Sequence, residues 1–387
     1  MISKLSDLCY FAYARVPVAD LDLKTYISTE NMLPNRGGVT YATRLPTVLQ
    51  VQAYRTTDVL VSNIRPYFRK IWFADREGGC SNDVLVLRAR ENCNPRFLYY
   101  LLSSDNFFDY ATTTAKGTKM PRGDKEAIMQ YEVPILPLAI QIRIANVLST
   151  LDNKIDINKA INHCLEEMAQ AIFKSWFVDF EPFGGKRPTA WTAGSLRDIA
   201  SEIVCGKTPS TKISEYFGDD MPFITIPDMH GVVYVTSTER SLSKAGSESQ
   251  SSKTVPSNSV CVSCIATPGL VVLTSVPSQT NQQINTIVCK DGISPYFVYL
   301  TMVRMADHIK MLGSSGSTTN NLNKGQFSKI ELVIPENDDM NKFATLVKPL
   351  FDAIKHNQQG NAFLAITRDT LLPRLMSGEI DISNVEI

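Results

Sequence analysis

Short segments in the first half of the chain recur in the second half, about 200 residues further along. A repeat of about 20–50 residues would predict a solenoid, whereas a repeat of half the chain predicts two copies of one larger folding unit. At 387 residues the chain is long enough for two such copies. The matching segments are Asn94–Tyr100 with Ser294–Leu300, Val59–Ile64 with Val260–Ile265, and Tyr131–Pro134 with Glu331–Pro335.

Each copy begins with a mixed α/β part and ends with a long helical part. In the mixed parts, short apolar runs alternate with turns rich in glycine, proline and asparagine. The helices are predicted over 138–177 and about 339–376, and a glycine-rich stretch separates the copies. The predicted boundaries are 1–135 and 195–335 for the mixed domains, 136–180 and 336–387 for the helices, and 181–194 for the linker.

Apolar residues in both helical parts follow the 4-3 spacing of a coiled coil. Asn158 and Asn162 interrupt the first helix, and Asn357 and Asn361 interrupt the second at the matching offset. A buried asparagine in such a seam costs stability but fixes register and partner, so the matched interruptions predict that the helices pair with each other. The apolar positions are Ile144, Val147, Leu148, Leu151, Ile155, Leu165, Ala169, Ile172 and Trp176, then Phe343, Val347, Leu350, Ile354, Leu364, Leu371 and Leu375.

Two residues depart from this pattern in the second helix. Arg368 occupies the position that Ala169 holds in the first helix. Pro349 lies inside the helical stretch, and a proline there predicts either a kink or a later start of the helix.

A pseudo-twofold relation between the copies requires the two helices to run antiparallel. Forty helical residues span roughly 60 Å, so we expect a rigid rod with a mixed domain at each end. Two domains held at a fixed separation would suit a DNA site in two parts. The recognition elements of symmetric DNA-binding proteins lie about one turn of the double helix, roughly 34–36 Å, apart. The alternative is two unrelated amphipathic helices that pack on separate cores.

The composition excludes several classes of protein. No run of about 18 apolar residues predicts a membrane span. Eight cysteines without disulfide-like spacing predict a reducing compartment, the cytoplasm. Cys261 and Cys264 form a Cys-x-x-Cys pair, but they lie in an apolar run that favours a strand over a zinc site. The formal net charge is zero, so any DNA surface must be a local basic patch.

The sequence contains none of the motifs that would predict an enzyme. It has neither a glycine-rich S-adenosylmethionine loop nor a phosphate-binding Gly-x-x-x-x-Gly-Lys-Ser/Thr loop. Asn94-Pro95-Arg96-Phe97 is faintly similar to a motif of amino-methyltransferases, but the repeat copy begins with Ser294. A helix start, with a capping residue followed by proline, explains both copies. We therefore expect no catalytic, cofactor-binding or metal-binding residues in this chain.

Several segments are similar to one known family, the specificity subunits of type I restriction-modification systems. Val133–Ala145, Leu151–Ile155 with Asn162, and Ala169–Phe180 resemble the conserved central helix of that family. Leu371–Ile380 resembles its C-terminal helix, and Gly206–Ser210 resembles the start of its second variable domain. The resemblance covers the whole chain, and its helical motifs are the specific part.

The resemblance implies two target-recognition domains of mixed α/β structure, separated by two long antiparallel, coiled-coil-like helices. It implies that the chain binds a bipartite DNA site and two methyltransferase subunits, and in some systems two restriction subunits. The partners would bind S-adenosylmethionine, and ATP with Mg²⁺ where a restriction subunit is present, for methylation of adenine N6 and defence against phage.

DNA-reading residues are expected in loops rich in Arg, Lys, Asn, Gln and Thr, whose side chains bind phosphates or base edges. The sequence does not predict which bases they read. The candidates of the first domain are Arg36, Arg65, Tyr67, Arg69, Lys70, Lys116, Thr118, Lys119 and Arg122. Those of the second domain are Lys207, Thr208, Ser210, Lys212, Asn281, Gln282, Gln283, Thr318, Asn320, Asn321 and Lys324.

Two other functions are compatible with parts of the sequence. A protein-interaction scaffold without direct DNA readout would need only the helices. An enzyme with an unrecognised site in a mixed domain would be active as the purified chain alone. The basic, threonine-rich loop 112–125 and its counterpart 313–324 favour DNA binding over both.

Overall fold

The chain folds into two units, and the first of them combines segments from both halves of the sequence. The structure, a computed structural model, describes residues 2–314 and 321–382. The first unit contains Met1–Asn153 and Leu364–Ile387, and the second contains Lys154–Phe363. Because packing rather than the repeat defines these units, the domain boundaries given above stay a prediction.

The first unit is built on a four-stranded antiparallel sheet with the order β2-β9-β6-β7. A second sheet has the order β3-β5-β8-β4, and β1 pairs with β10. The strands are β1 Ile2–Lys4, β2 Cys9–Phe11, β3 Arg15–Pro17, β4 Tyr26–Ile27, β5 Gln50–Tyr54, β6 Val59–Ser62, β7 Ile71–Phe73, β8 Gly78–Cys80, β9 Val84–Ala89 and β10 Glu132–Pro134.

The central strands of this sheet are buried on both faces, which explains their continuous apolar sequence. Val59 and Val61 of β6 pack in one core cluster, whereas Leu60 packs in another on the opposite face. Phe97 and Phe107 cover the first face. The helices are α1 Leu5–Leu8, α2 Pro95–Ser103, α3 Asp105–Thr113, α4 Lys125–Met129 and α5 Leu138–Phe177, of which α5 continues into the second unit.

The second unit repeats the same sheet as β12-β19-β16-β17 and extends it with β14, which pairs in parallel with β17. The pair β11–β20 likewise repeats β1–β10. The predicted mixed α/β fold with an internal repeat is therefore confirmed. The strands are β11 Thr192–Ser195, β12 Ala200–Cys205, β13 Phe217–Ile224, β14 Tyr234–Val235, β15 Ser241–Leu242, β16 Val260–Ser263, β17 Val271–Thr274, β18 Gln279–Thr280, β19 Ile284–Cys289 and β20 Glu331–Ile334.

The helices of the second unit pack on that sheet as their counterparts do in the first. Val260, Val262 and Phe297 share one core cluster, and Cys261 faces a second cluster on the other side of the sheet. The helices are α6 Leu196–Ile199, α7 Lys244–Glu248, α8 Pro295–Arg304, α9 Ala306–Ser314, α10 Lys324–Phe327 and α11 Asn337–Met376, of which α11 ends in the first unit.

The duplicated Asn/Ser-Pro segments are helix starts, as predicted. The side chain of Asn94 accepts hydrogen bonds from the backbone N–H groups of Arg96 and Phe97, both at 3.0 Å, and caps α2. Ser294 occupies the same position before α8 but makes no capping hydrogen bond. Its buried Oγ has no hydrogen-bond partner among the described residues. Only the first copy therefore has a side-chain cap.

In the first unit, the start of α5 packs antiparallel against the end of α11. Ile144 and Leu148 share a core cluster with Leu375. Arg368 forms an ion pair with Asp152 at 2.7 Å, and the other carboxylate oxygen accepts a hydrogen bond from the Tyr100 hydroxyl at 2.6 Å. The arginine that breaks the heptad pattern therefore has a partner on the facing helix.

In the second unit, the four asparagines form two pairs between the two helices. Asn158 Nδ2 donates to Asn361 Oδ1 at 2.8 Å, and Asn357 Nδ2 donates to Asn162 Oδ1 at 2.9 Å. The numbering rises along one helix as it falls along the other, so the helices run antiparallel here too. That these pairs fix the register stays a prediction.

Pro349 does not delay the start of the second helix, so that alternative was wrong. The helix α11 runs without interruption over Asn337–Met376 and begins two residues before the predicted position. Pro349 is exposed. Water can therefore bind the backbone carbonyl that the missing N–H of proline leaves unpaired.

The structure confirms that the Cys-x-x-Cys pair belongs to a sheet. Cys261 lies within β16, Cys264 follows it, and both are buried. Burial raises the pKa of the Cys261 thiol to about 12 and that of Cys264 to about 11. Both thiols are therefore protonated near neutral pH and are poor nucleophiles.

Candidate nucleic-acid interface

Three loops of the first unit meet at one surface and bring together its nine candidate residues. The backbone N–H of Arg36 donates to the carbonyl of Arg69 at 2.9 Å, which joins loop 34–38 to loop 64–70. The N–H of Arg65 donates to the carbonyl of Pro121 at 2.8 Å. That bond joins the second loop to the hairpin 116–122, whose ends Lys116 and Arg122 form reciprocal backbone hydrogen bonds. The sequence motifs thus form one patch in space.

Three of the arginines in this patch have left-handed backbone conformations. Their φ angles are +61° at Arg36, +50° at Arg65 and +52° at Arg69. Arg65 and Arg69 flank the short 3₁₀ turn Pro66–Phe68, which reverses the chain between them. A left-handed conformation costs an L-residue roughly 1–2 kcal/mol, and such strain gathers at functional sites.

Two of these arginines and one lysine hold the loops in place. The Arg36 guanidinium donates to the carbonyl of Ser103 and pairs with Asp105. Arg69 pairs with the same carboxylate at 2.8 Å. Lys70 Nζ donates to a backbone carbonyl, that of residue 29, at 2.6 Å, and partial burial lowers the pKa of Lys70. These contacts give the three side chains structural roles within the patch.

The remaining candidates form its exposed rim. The side chain of Lys116 is 80% exposed although it pairs with Asp124 at 2.5 Å, and that hydrogen bond raises the pKa of Lys116. Arg122 is 57% exposed and pairs with Asp83 at 3.0 Å. Tyr67, Thr118 and Lys119 are also exposed. Nε of Arg65 is buried and has no hydrogen-bond partner among the described residues.

An exposed loop beside this patch was not among the candidates predicted from the sequence. Residues 40–48 line a cavity of about 590 Å³ together with Tyr26, residues 28–31, Ser81 and Asp83. Tyr41 is 63% exposed, and Arg44 is exposed close by. The loop has no hydrophobic periodicity, so the only signal was its mixture of aromatic, basic and threonine residues. It adds surface to the patch on the side of Asp83.

A second polar patch lies on the second unit, where loop 206–212 meets loop 280–283. The backbone N–H of Lys207 donates to the carbonyl of Thr280 at 2.9 Å. The hydroxyl of Thr208 donates to Gln282 Oε1 at 2.6 Å. Lys207 and Gln282 are exposed, as are Ser210 and Lys212, which follow in the same loop.

Other candidates of the second unit have different environments. Asn281 is buried, and its amide donates to Gln283 Oε1 at 2.9 Å, so it supports Gln283 rather than reaching the surface. Asn321 is exposed and bridges to Ile265. Lys324 lines a shallow groove with Arg197 and Glu202, and the structure does not join it to the patch. Thr318 and Asn320 lie outside the described residues.

The two patches have the chemistry of a binding surface. Within residues 2–314 and 321–382, no group of His, Cys, Asp and Glu side chains has the arrangement of a metal site. None of the helices in that part of the chain combines the length and hydropathy that a bilayer crossing needs. Exposed cationic and amide side chains on fixed loops can bind phosphates and base edges.

Comparison with known protein families gives two matches along the chain. A family model described as the type I restriction modification DNA specificity domain matches residues 25–167 and again residues 188–362. Each match combines one mixed domain with helical residues, so the two matches follow the internal repeat.

Curated relatives and a solved structure extend this likeness to most of the chain. The chain is 34% identical over 403 aligned positions to the type I restriction enzyme HindI specificity subunit of Haemophilus influenzae, covering 85% of this chain and 88% of the relative. It is 27% identical over 320 positions to the MjaIX specificity subunit of Methanocaldococcus jannaschii, covering 75% and 70%. The S subunit of a type I restriction-modification system from M. genitalium superposes with a TM-score of 0.57 at 14% identity, covering 99% and 96%, and supports the fold.

Proposed function

The chain belongs to the family of type I restriction-modification specificity subunits, and from that premise we propose that its two domains read the two halves of a bipartite DNA site. Members of this family are the non-catalytic, DNA-recognising subunits of their systems. The observation that supports a two-part site is the repeat itself. Each mixed domain has its own patch of exposed basic and amide residues on loops at the ends of the strands of its sheet.

The partners in this proposal are double-stranded DNA and two methyltransferase subunits, joined in some assemblies by two restriction subunits. The methyltransferase subunits would bind S-adenosylmethionine and methylate adenine N6, and a restriction subunit would bind ATP and Mg²⁺. This chain would bind none of these cofactors. The free cysteines fit a cytoplasmic complex, where thiols stay reduced.

An exposed apolar stripe on α5 supports the binding of a partner helix. Ile157, Ile161 and Met168 of the second unit are 55%, 43% and 52% exposed, and Cys164 between them is also exposed. Their 4-3-4 spacing places them on one side of the helix, away from the seam that contains Asn158. An apolar row of this kind is unfavourable in water, so we assign it to a methyltransferase subunit.

The experiment is methylation mapping with the chain and its methyltransferase subunit expressed together in cells free of other adenine methylation. Single-molecule sequencing should show one motif with two defined parts, an unread spacer and one methylated adenine in each part. Expression without this chain should leave the genome unmethylated. Methylation without a defined motif would support the scaffold instead.

The assignment of the stripe is tested separately. Ile157→Ser together with Ile161→Ser should weaken co-purification of the methyltransferase subunit with only a small decrease in the melting temperature, because about half of each side chain is already exposed. Lys159→Ser is the matched control on the same turn of the helix. Equal loss of binding in the control would refute a specific contact through the stripe.

A further inference from the structure

The loops of the first recognition patch are fixed by a small set of backbone contacts at the end of β6. The N–H of Asn63 donates to the carbonyl of Asp83 at 2.8 Å, and the carbonyl of Asn63 accepts from the N–H of Gly123 at 3.0 Å. Ile64 forms an isolated bridge with Arg122. Residue 63 thus joins the strand end to both Asp83 and the hairpin that carries Arg122.

The second unit has the same contacts at the end of β16. The N–H of Cys264 donates to the carbonyl of Gln283 at 2.8 Å, and the carbonyl of Cys264 accepts from the N–H of Leu322 at 3.0 Å. Ile265 forms an isolated bridge with Asn321. Each of these three contacts at the end of β6 therefore has a counterpart at the end of β16, and the hydrogen bonds have the same lengths.

The backbone angles extend this match by one residue. Arg65 follows Ile64 with a φ of +50°, and Ala266 follows Ile265 with a φ of +64°. A left-handed non-glycine residue is uncommon, so its recurrence at the same step is a strong sign of one shared loop geometry. Position 122 of the first domain therefore corresponds to position 321 of the second, and position 83 corresponds to position 283.

The side chains at these matched positions differ in charge. The first domain has Arg122, whose guanidinium pairs with Asp83 at 3.0 Å, and the second domain has Asn321 with Gln283 at the corresponding place. Arginine matches the O6 and N7 acceptors of guanine with two hydrogen bonds, whereas asparagine matches N6 and N7 of adenine. The same geometry with different side chains suits two domains that read different bases.

Resting on the proposed function, we infer that positions 122 and 321 are corresponding base-reading positions, at which Arg122 reads guanine in one half-site and Asn321 reads adenine in the other. Both side chains are exposed, while their Cα positions are held by the strand-end contacts. Asp83 is a positioning residue, because it contacts the guanidinium and limits the directions in which Arg122 can point. Gln283 has the corresponding backbone position in the second domain.

The test exchanges the two side chains in the assembled complex with its methyltransferase subunits. Arg122→Asn should lower the preference for guanine at one position of one half-site by about 5- to 100-fold and leave the other half-site unchanged. Asn321→Arg should lower the preference for adenine at one position of the other half-site. Methylation maps give the motif. Competition binding, with duplexes altered one base at a time, gives the fold-change even where methylation is weak.

The positioning role of Asp83 needs its own readout. Asp83→Asn should reduce discrimination at the base that Arg122 reads, without changing preference elsewhere, and Asp83→Glu should restore part of it. Lys119→Ala is the control for a phosphate contact and should weaken binding to all sequences alike. The slope of the logarithm of the binding constant against the logarithm of the salt concentration should be smaller by about one. Arg187→Asn, in the exposed linker, should change neither base discrimination nor the overall affinity for DNA.

The outcomes separate this inference from the proposed function. If the wild-type complex has a bipartite motif and Arg122→Asn weakens all sequences equally, position 122 is not a base reader, although the proposed function stands. The same holds for Asn321→Arg if it leaves the adenine preference intact. If the wild-type complex has no bipartite motif, the proposed function itself fails.

Discussion

Replacing Asn158 with leucine tests whether the asparagine pairs determine how the helices of the second unit fit together. The amide of Asn158 donates to Asn361 at 2.8 Å, and Asn158 is only 5% exposed. In Asn158→Leu, the acceptor oxygen of Asn361 faces an apolar side chain and loses its hydrogen bond. Replacing both residues with leucine removes the unpaired amide altogether.

The single variant should be less stable than the double variant, although it carries fewer changes. An unsatisfied buried polar group costs about 1–3 kcal/mol, whereas removing both partners of a hydrogen bond is close to neutral. Because Asn361 is half-buried and reached by some water, we expect about 1–2 kcal/mol for Asn158→Leu. In a unit the size of residues 154–363, that lowers the melting temperature by about 2–8 °C.

Calorimetry gives the melting temperatures, and amide hydrogen exchange of peptides from α5 and α11 reports the helix pair itself. Leucine at all four asparagine positions should raise the melting temperature but speed exchange, because the polar layer no longer disfavours shifted pairings. Asn341→Leu, at an exposed position of α11, is the control. A double variant less stable than Asn158→Leu would refute the reasoning.

Three further predictions concern the first unit and the DNA site. Arg368→Ala should destabilise the chain by about 2–4 kcal/mol, below the range for a fully buried pair, because the carboxylate of Asp152 loses its ion-pair partner; in denaturant unfolding, Asp152→Asn with Arg368→Ala should recover most of that loss, because the amide oxygen still accepts from the Tyr100 hydroxyl. Exchange of residues 1–135 for those of another family member should change one half of the methylated motif, and a change in both halves would show that the domains do not read independently. Insertion of four residues at equivalent places in both long helices adds about 6 Å, and methylation mapping should show a spacer longer by one or two base pairs with the same bases read.

The helices could be predicted from the sequence because their information is local and periodic. The heptad spacing gave the first helix its observed bounds, Leu138–Phe177. The matched asparagines predicted that the helices pair, and the pseudo-twofold relation between the copies predicted that they run antiparallel. Pro349 was harder, since its effect depends on whether the unpaired carbonyl meets water or protein, which only the packed helix shows.

The recognition surface could be predicted only in part, because tertiary contacts decide which side chains stay available. Arg36 and Arg122 look alike in the sequence, but the first is tied to Ser103 and Asp105 while the second is exposed. Asn281 was a reasonable candidate by residue type, and burial gives it a supporting role instead. Such differences arise from loop contacts between residues far apart in sequence, which no local pattern encodes.

The first unit is closed by a segment that the ribosome makes long after the rest of that unit. Leu372, Leu375 and Met376 belong to the same hydrophobic cluster as Leu5 and Val59. During synthesis, residues 154–363 emerge as an uninterrupted stretch, whereas the cluster around Leu5 must wait for the end of α11. A nascent chain that stops before Leu364 therefore keeps an apolar face of its first domain uncovered, and exposed surface of this kind directs a protein to chaperones and proteases. The core of the domain that is translated first can therefore close only after the end of α11 has been made.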